Sequence, residues 1–350
     1  MAAIDSVSVD DIVVDARRLE NAIVDVLRGN GASTSDAASQ AHVLVEGDLR
    51  GQHSHGVQRL PILVERLQKG LIVSGVEPEQ TWVTDTVLRV DGGRGFGPAV
   101  AFEAVDSIIE RAEQTGIALA TVRNSNHIGM LAPYIERVAA RNQIGIAMTT
   151  SEALVHPWGG ARAMLGTNPL GIAVPTTGPP LVLDMSTASV SMGKILDFAV
   201  RSAPIPLGWA VDAHGQPTKD AEAAKRGAIS PFGGPKGYAL GIAFEAMVAI
   251  LTESALGGAV RGTLDSRDVA NKGDLFFSIS LARLELTALL PTLEAYLDEV
   301  RASAKDSDSE VFIPGDRARW IRDERLAAGI PLHPDVWAKT MELHGEATSA

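Results

Sequence analysis

Apolar residues recur with helical spacing at both ends of this chain, and the middle has the texture of short strands. After Asp10-Asp11, the residues Ile12, Ala16, Leu19, Ile23, Val26 and Leu27 fall on a 3.6-residue period that Gly29-Asn30-Gly31 ends. Ser33 or Ser35 is placed to cap a second helix, with Ala38, Ala41, Val45 and Leu49 on its apolar stripe. A third helix is expected from near His55, carrying Leu60, Leu63, Val64 and Leu67 and stopping at Gly70. Beyond Pro78, β-branched runs punctuated by glycine predict strands over 81–90, 117–122, 144–149, 171–174 and 181–183. Helices over 99–115 and 237–252 interrupt them, and 285–345 is helical again apart from the polar stretch 303–310. The pattern predicts an α/β or α+β protein with helical ends.

Composition narrows the function classes. The chain has 350 residues, enough for two domains, with 45% hydrophobic and 21% charged residues. A net charge of −12 argues against nucleic acid as partner, since phosphate backbones need a positive surface. An anion site must then come from local cations, and Arg50, Arg59, Lys194, Lys236 and Arg317 stand near glycine-rich segments. With no cysteine there is no disulfide, thiolate metal site or cysteine nucleophile, which is compatible with a cytoplasmic location. No signal peptide is visible at the N-terminus, and no apolar run approaches a bilayer span.

The most informative stretch is Ser54-His55-Gly56-Val57-Gln58-Arg59. Histidine exchanges protons near neutral pH, and arginine grips a carboxylate with two parallel hydrogen bonds. A spacing of four would put both on one helical face, about 6 Å apart at Cβ. An acid with a carbonyl beside its carboxylate suits such a pair. A second segment, 87–98, runs from a strand through glycines into a helix and has the outline of a dinucleotide-binding βαβ unit. Its glycines stand at 93, 95 and 97, Pro98 takes the place of the third fingerprint glycine, and no acid ends the second strand. Packing explains it better. The turn Asn124–Met130 before a helical run offers backbone N–H groups to a phosphate or amide oxygen.

Seven ordered segments carry a family resemblance: DLRGQHSHGVQRLP (48–61), RNSNHIGMLAPY (123–134), GTNPLGIAVPT (166–176), LDMSTASVSMGKI (183–195), PLGWAVDAHGQPTKD (206–220), PFGGPKGYALG (231–241) and FIPGDRARWIRDERLAAGIPL (312–332). With them the chain resembles the malate/L-lactate dehydrogenase family of the second, non-Rossmann type. The resemblance implies a helical subdomain from both chain ends (1–78 and 285–350) and a central nucleotide-binding domain (79–284) on a largely antiparallel or mixed sheet. It implies reversible hydride transfer between NAD or NADP, with NAD first, and C2 of a small anionic 2-hydroxy or 2-oxo acid, in a homodimer. By the same resemblance His55 is the proton donor, Ser54 its hydrogen-bonding partner, Arg59 the carboxylate anchor and Thr167 a substrate contact. Cofactor contacts are implied for His127, Ile128, Gly129, Met130 and Leu131, for Asp184, Met185 and Ser186, for Lys236 and Gly237, and for Pro314, Gly315 and Asp316.

Several positions depart from the family pattern or divide it. Lys194 stands where imine-reducing members carry aspartate, and a lysine can stabilise a developing alkoxide, which favours a C=O substrate. The rival within the family is a reductase of piperideine- or pyrroline-2-carboxylate. His53 stands where an acid is common and is expected to alter the surroundings of the Ser54–His55 pair. Asp316 replaces a glutamate, and Met192 replaces a polar or basic side chain near the site. A metal-binding or silent module using His53 and His55 is the rival outside the family. Two histidines two apart share no helical face and lack a third ligand nearby.

Overall fold

The computed structural model describes residues 11–306 and 309–349. Asp10, the N-terminal residues expected to lack a leader, and two positions of the polar stretch 303–310 lie outside them. The first helical period begins later than expected. Strand β1 (Ile12–Val14) precedes α1 (Ala16–Gly29), whose first turn is capped by Asp15 accepting from the Arg18 N–H at 3.0 Å. Ser33 caps α2 (Thr34–Leu49) by accepting from the Asp36 N–H at 3.1 Å. The third helix, α3 (Leu60–Gln68), starts only after two 3₁₀ turns, His53–His55 and Val57–Arg59.

The central part runs through β2 (Glu79–Trp82), β3 (Val87–Asp91), α4 (Gly97–Thr115), β4 (Ile117–Arg123), α5 (Ala132–Ala139), β5 (Gln143–Thr149), β6 (Leu170–Val174) and β7 (Leu181–Met185). Then come α6 (Met192–Val200), β8 (Ala210–Val211), α7 (Ala221–Arg226), β9 (Ala228–Ile229), α8 (Pro235–Thr252) and β10 (Asp274–Ser280). The chain closes with α9 (Leu290–Ala302), α10 (Asp316–Ala328), β11 (Ile330–Leu332) and α11 (Pro334–Ser349).

Seven strands form one mixed sheet in the order β2-β3-β4-β10-β5-β6-β7, in which only β3 and β4 pair parallel. The mixed α/β fold matches the expectation. Its central strand, β10, was not expected, because the residues it buries include Asp274, Ser278 and Ser280. Polar residues pointing inward erase the apolar alternation that marks a strand. One large core lies between the sheet and α4 and α5, with Ile108, Tyr134 and Phe276 among its buried side chains. On the other face Val248 of α8 packs with Met148 and Leu275. A second core joins the two chain ends: Leu19, Ile23, Leu44 and Leu60 pack with Ile330, Leu332 and Leu343, and β1 pairs antiparallel with β11. Among the described residues no helix is long and apolar enough to cross a membrane.

The segment β3–α4–β4 is a true βαβ unit, yet its glycines serve packing. A Cβ on Gly97 would stand 2.3 Å from the His127 carbonyl oxygen, and one on Gly93 2.5 Å from Val76. The Asn126 amide donates to the carbonyls of Arg94 and Gly95 at 2.8 and 2.9 Å. The glycine-rich loop therefore lets the His127 segment lie directly on it. This close approach leaves no room for a pyrophosphate.

Candidate active site

The turn carrying His55 is shaped by two glycines and a buried carboxylate. A Cβ on Gly47 would meet the His55 carbonyl at 2.8 Å, and one on Gly56 would stand 2.0 Å from Asp48 Oδ1. Gly56 is extended, with φ −91° and ψ −159°, and separates the two 3₁₀ turns. His55 and Arg59 therefore do not share a helical face, as their spacing of four had predicted. They are brought together by a folded turn instead, since i,i+4 proximity requires an unbroken helix.

His55 Nδ1 lies 3.0 Å from Ser54 Oγ, and the ring stacks on His127 with centroids 5.7 Å apart and planes at 22°. Burial, reinforced by the Arg59 charge, pulls the His55 imidazole down to about 4, so it is neutral at neutral pH. His127 is driven well below the ordinary histidine value by burial, with the Arg59 charge adding to it. Its Nδ1 accepts the Gly129 N–H at 3.0 Å, which leaves the ring proton on Nε2.

Arg59 is held from the far side of the chain. Its Nη2 donates to the Thr263 carbonyl at 2.6 Å. Burial lowers its pKa to about 10, the Glu152 carboxylate works in the opposite direction, and the guanidinium stays charged. Glu152 in turn accepts the N–H groups of Thr263 and Leu264 at 2.8 and 2.9 Å. Beside it, Ser151 Oγ lies 3.2 Å from Thr167 Oγ1 and accepts the Thr167 N–H at 3.0 Å. Thr167 and Arg59 thus belong to one connected wall. Arg66 and Lys69 clamp further carbonyls of the same loop, at Asp265 and Ser266. Glu152, Thr263 and Arg66 carry no sequence signal for this, because their partners lie about a hundred or more positions away.

A cavity of about 360 Å³ is lined by Met130, Asp184, Lys194, Gly315 and Arg317 among others, but not by His55, Arg59 or Thr167. Gly193 lies against Ser54, which places the start of α6 and Lys194 next to the histidine turn. Lys194 Nζ also sits 5.9 Å from the centre of the Trp209 ring. Asp184 accepts the N–H groups of Leu131 and Ala132, both at 2.8 Å, and burial raises it to about 6 against the pull of those two bonds. The start of α5 is therefore satisfied by the chain's own carboxylate at Leu131 and Ala132, just past the turn Asn124–Met130 whose N–H groups were expected to receive a phosphate or amide oxygen. Ile128 gives its carbonyl to the Tyr134 hydroxyl at 2.5 Å.

Other expected positions lie at varying distances from the cavity. Pro314 accepts the Val182 N–H at 3.0 Å, fixing the Gly315 turn on β7. Asp316 turns to Arg301, at 2.8 Å, and lines a separate cavity of about 560 Å³. Met185 ends β7, and Ser186 Oγ accepts the Ala188 N–H at 3.2 Å. Lys236 and Gly237 begin α8 and do not line the 360 Å³ cavity; Gly237 is pressed under the Phe232 carbonyl. Arg50, one of the candidate anion-site cations, lines the 360 Å³ cavity and is also engaged in ion pairs. Both its Nη atoms donate to the Glu136 carboxylate at 2.6 Å, and its Nε donates to Glu46 at 2.9 Å. Neither ring nitrogen of His53 is available to a metal, since one meets Asp48 at 2.8 Å and the other Arg325 at 3.2 Å.

Known proteins resemble the chain over nearly its whole length. The malate/L-lactate dehydrogenase family model matches residues 14–340. A malate/(S)-sulfolactate dehydrogenase from Methanothermus fervidus is 34% identical over 96% of this chain and 98% of its own. A Δ1-pyrroline-2-carboxylate reductase from Burkholderia ambifaria is 37% identical over 75% of each chain. The crystal structure of a dehydrogenase from Sinorhizobium meliloti superposes with a TM-score of 0.91 at 45% identity, covering 95% of this chain and 98% of that one. The seven motifs, the non-Rossmann mixed sheet and these matches agree: the chain belongs to the malate/L-lactate dehydrogenase family and is an NAD(P)-dependent oxidoreductase.

Proposed function

We propose that the chain interconverts a small 2-hydroxy acid and its 2-oxo acid, with His55 exchanging the proton of the substrate oxygen and Arg59 anchoring the carboxylate. The observation that carries this reading is the pairing of a Ser54-bonded, neutral His55 with a buried guanidinium that acts on it electrostatically. With Nδ1–H donating to Ser54 Oγ, Nε2 is the atom that gives or takes the proton. Arg59, fixed through one nitrogen on Thr263, turns the acid so that C2 and its oxygen meet His55; such positioning contributes several kcal/mol, of order 7 or more in well-oriented cases. Lys194 lowers the cost of negative charge on that oxygen, and Thr167 contacts the substrate from the Ser151 wall.

The residues around the cavity suit a nicotinamide dinucleotide. Gly315 brings bare backbone to its wall, Lys194 and Arg317 supply positive charge, and α10 begins beside it with its first-turn N–H groups. When bound, the cofactor supplies or takes up the hydride. The segments 127–131, 184–186 and 314–316 hold it in this reading, with Lys236 and Gly237 contributing at its far end. The same reading divides the chain near residues 78 and 284, in line with its separate terminal and central cores.

A second reading, reduction of a cyclic imine carboxylate, rests on the Burkholderia relative. Lys194 favours the carbonyl. Crossing pyruvate, oxaloacetate, pyrroline-2-carboxylate and piperideine-2-carboxylate with NADH and NADPH decides between them. The 2-oxo acids should show at least about tenfold higher kcat/KM, corresponding to about 1.4 kcal/mol, with NADH ahead of NADPH. An inverted ratio makes the imine the substrate, and no oxidation of either cofactor removes both readings.

We also assign the chain to a homodimer. Helix α8 is largely apolar, and it leaves Ile242 45% and Ile250 74% exposed. A helix of that kind is normally covered, here by a second copy. Sedimentation of the purified protein should give twice the mass of one chain; a monomer would withdraw this assignment.

A further inference from the structure

The turn that presents His55 is gripped by a residue that touches neither substrate nor cavity, and through it by the far end of the chain. Asp48 is 1% exposed at the end of α2. One of its oxygens accepts the Val57 N–H at 2.7 Å, and the other lies 2.8 Å from His53 Nδ1. These two contacts straddle residues 54–56. Gly56 makes room for the carboxylate, since any Cβ there would overlap it. On the opposite side, Arg325 Nη1 donates to the Asp48 carbonyl at 2.5 Å and lies 3.2 Å from His53 Nε2.

The hydrogen-bond sense follows from donor and acceptor inventory. Arginine only donates, so His53 Nε2 accepts, and the His53 ring proton is on Nδ1, aimed at Asp48. Every member of the chain Arg325–His53–Asp48–Val57 is thereby satisfied in a single arrangement. Arg325 stands in the last turn of α10, the helix whose N-cap Gly315 and first-turn Arg317 contribute to the cavity wall. One rigid helix thus grips the cavity at its start and the His55 turn at its end.

We propose that Asp48, bridged by His53 to Arg325, is a positioning residue that sets the distance and angle between the His55 ring and the cavity. The proposal rests on the assignment of His55 as proton-transfer group. It also gives the expected influence of His53 on the surroundings of the Ser54–His55 pair a physical route, since its ring nitrogens engage Asp48 and Arg325. Because Asp48 acts through the turn, its loss should misplace the proton donor while leaving both binding sites intact.

The test compares Asp48→Asn, His53→Ala and His53→Asn with the parent protein. Asparagine at 48 keeps an acceptor for Val57 but loses the second acceptor for His53. Its kcat should fall about 10- to 100-fold, the range for lost orientation of a reacting group. KM for the active 2-oxo acid and NADH affinity by fluorescence titration should stay within about threefold. Asparagine at 53 restores a donor where Nδ1 stood, so it should recover most of the kcat lost in His53→Ala. Parent-like kcat in folded Asp48→Asn overturns the proposal, and so does a parallel loss of kcat, KM, NADH affinity and melting temperature, which marks a general scaffold role. If Asp48→Asn does not fold, the position-53 pair decides, and equal kcat in alanine and asparagine overturns it. A separate readout stands apart from substrate identity: nitrogen NMR of the His55 ring. Shifts that change in Asp48→Asn support the proposal even if no 2-oxo acid proves to be turned over; unchanged shifts overturn it.

Discussion

Replacing His55 with alanine should lower turnover by about 10²- to 10⁴-fold, the usual contribution of a positioned acid–base group, while NADH still binds. Its neighbour cannot take over. His127 Nδ1 is occupied by the Gly129 N–H, and burial holds the ring well below the range in which it would carry a transferable proton. The pH dependence has a definite sign. His55 sits at about 4 in the ligand-free protein, so kcat/KM for hydroxy-acid oxidation, which needs the neutral ring, should rise through about pH 4 and stay flat above it. For 2-oxo acid reduction kcat/KM should fall as pH rises past the same point, since the ring must first be protonated. Burial is the larger cause of the low value and the Arg59 charge the smaller. A substrate carboxylate on Arg59 offsets that second cause, so the kcat profile should lie at higher pH than the kcat/KM profile. The same depression makes the folded protein lose stability as pH falls from 6.5 toward 4, because there the unfolded chain takes up a proton that the folded chain refuses. Parent-like turnover in folded, purified His55→Ala would sink the assignment.

Replacing Arg59 with methionine should raise KM for the carboxylate substrate about 100-fold or more. Loss of a buried charged hydrogen-bond partner costs about 2–5 kcal/mol, and each 1.4 kcal/mol is tenfold. Glu152 sharpens the effect, since without Arg59 its carboxylate keeps only the more distant help of Arg66 among the cations that act on it. The wall itself should survive, because Arg66 and Lys69 still hold the neighbouring carbonyls of Asp265 and Ser266. Arg59→Lys keeps the charge but not the fork, and should fall between parent and methionine variant. An NMR titration of His55 in Arg59→Met should show its pKa moved upward from about 4, because one of its two causes has gone. An unchanged KM, or a His55 pKa that does not move, would separate Arg59 from the reaction centre.

Much of this architecture was legible where local chemistry repeats itself. The terminal helices announced themselves by period and caps, with Ser33 doing what the sequence pattern asked of it. Five of the strand runs expected in the middle appear in the sheet, the first split into the hairpin β2–β3. The failures have physical causes. Strand β10 hides because Asp274, Ser278 and Ser280 are buried on partners from other elements, as with Thr149 donating to Asp274 at 2.5 Å. The βαβ outline at 87–98 misleads because glycine serves close packing against the His127 segment as readily as it serves a phosphate. Arg50 stands at the cavity, but sequence spacing shows only Glu46 four positions away and not Glu136, which holds it from another helix.

By itself, the sequence determined the family and the mixed fold with helical ends, and it singled out the residues proposed to carry proton and charge chemistry. These depend on residue types in order along the chain, which are local properties. Only the tertiary structure decided how His55 and Arg59 meet, through a glycine-broken turn instead of a helix face. It also decided that Glu152 and Thr263 hold the arginine, and that Arg325, 277 positions from Asp48, grips the histidine turn. Such contacts join elements distant along the chain. Their energy comes from burying polar groups against one another, and that pairing leaves no periodic trace in the order of residues.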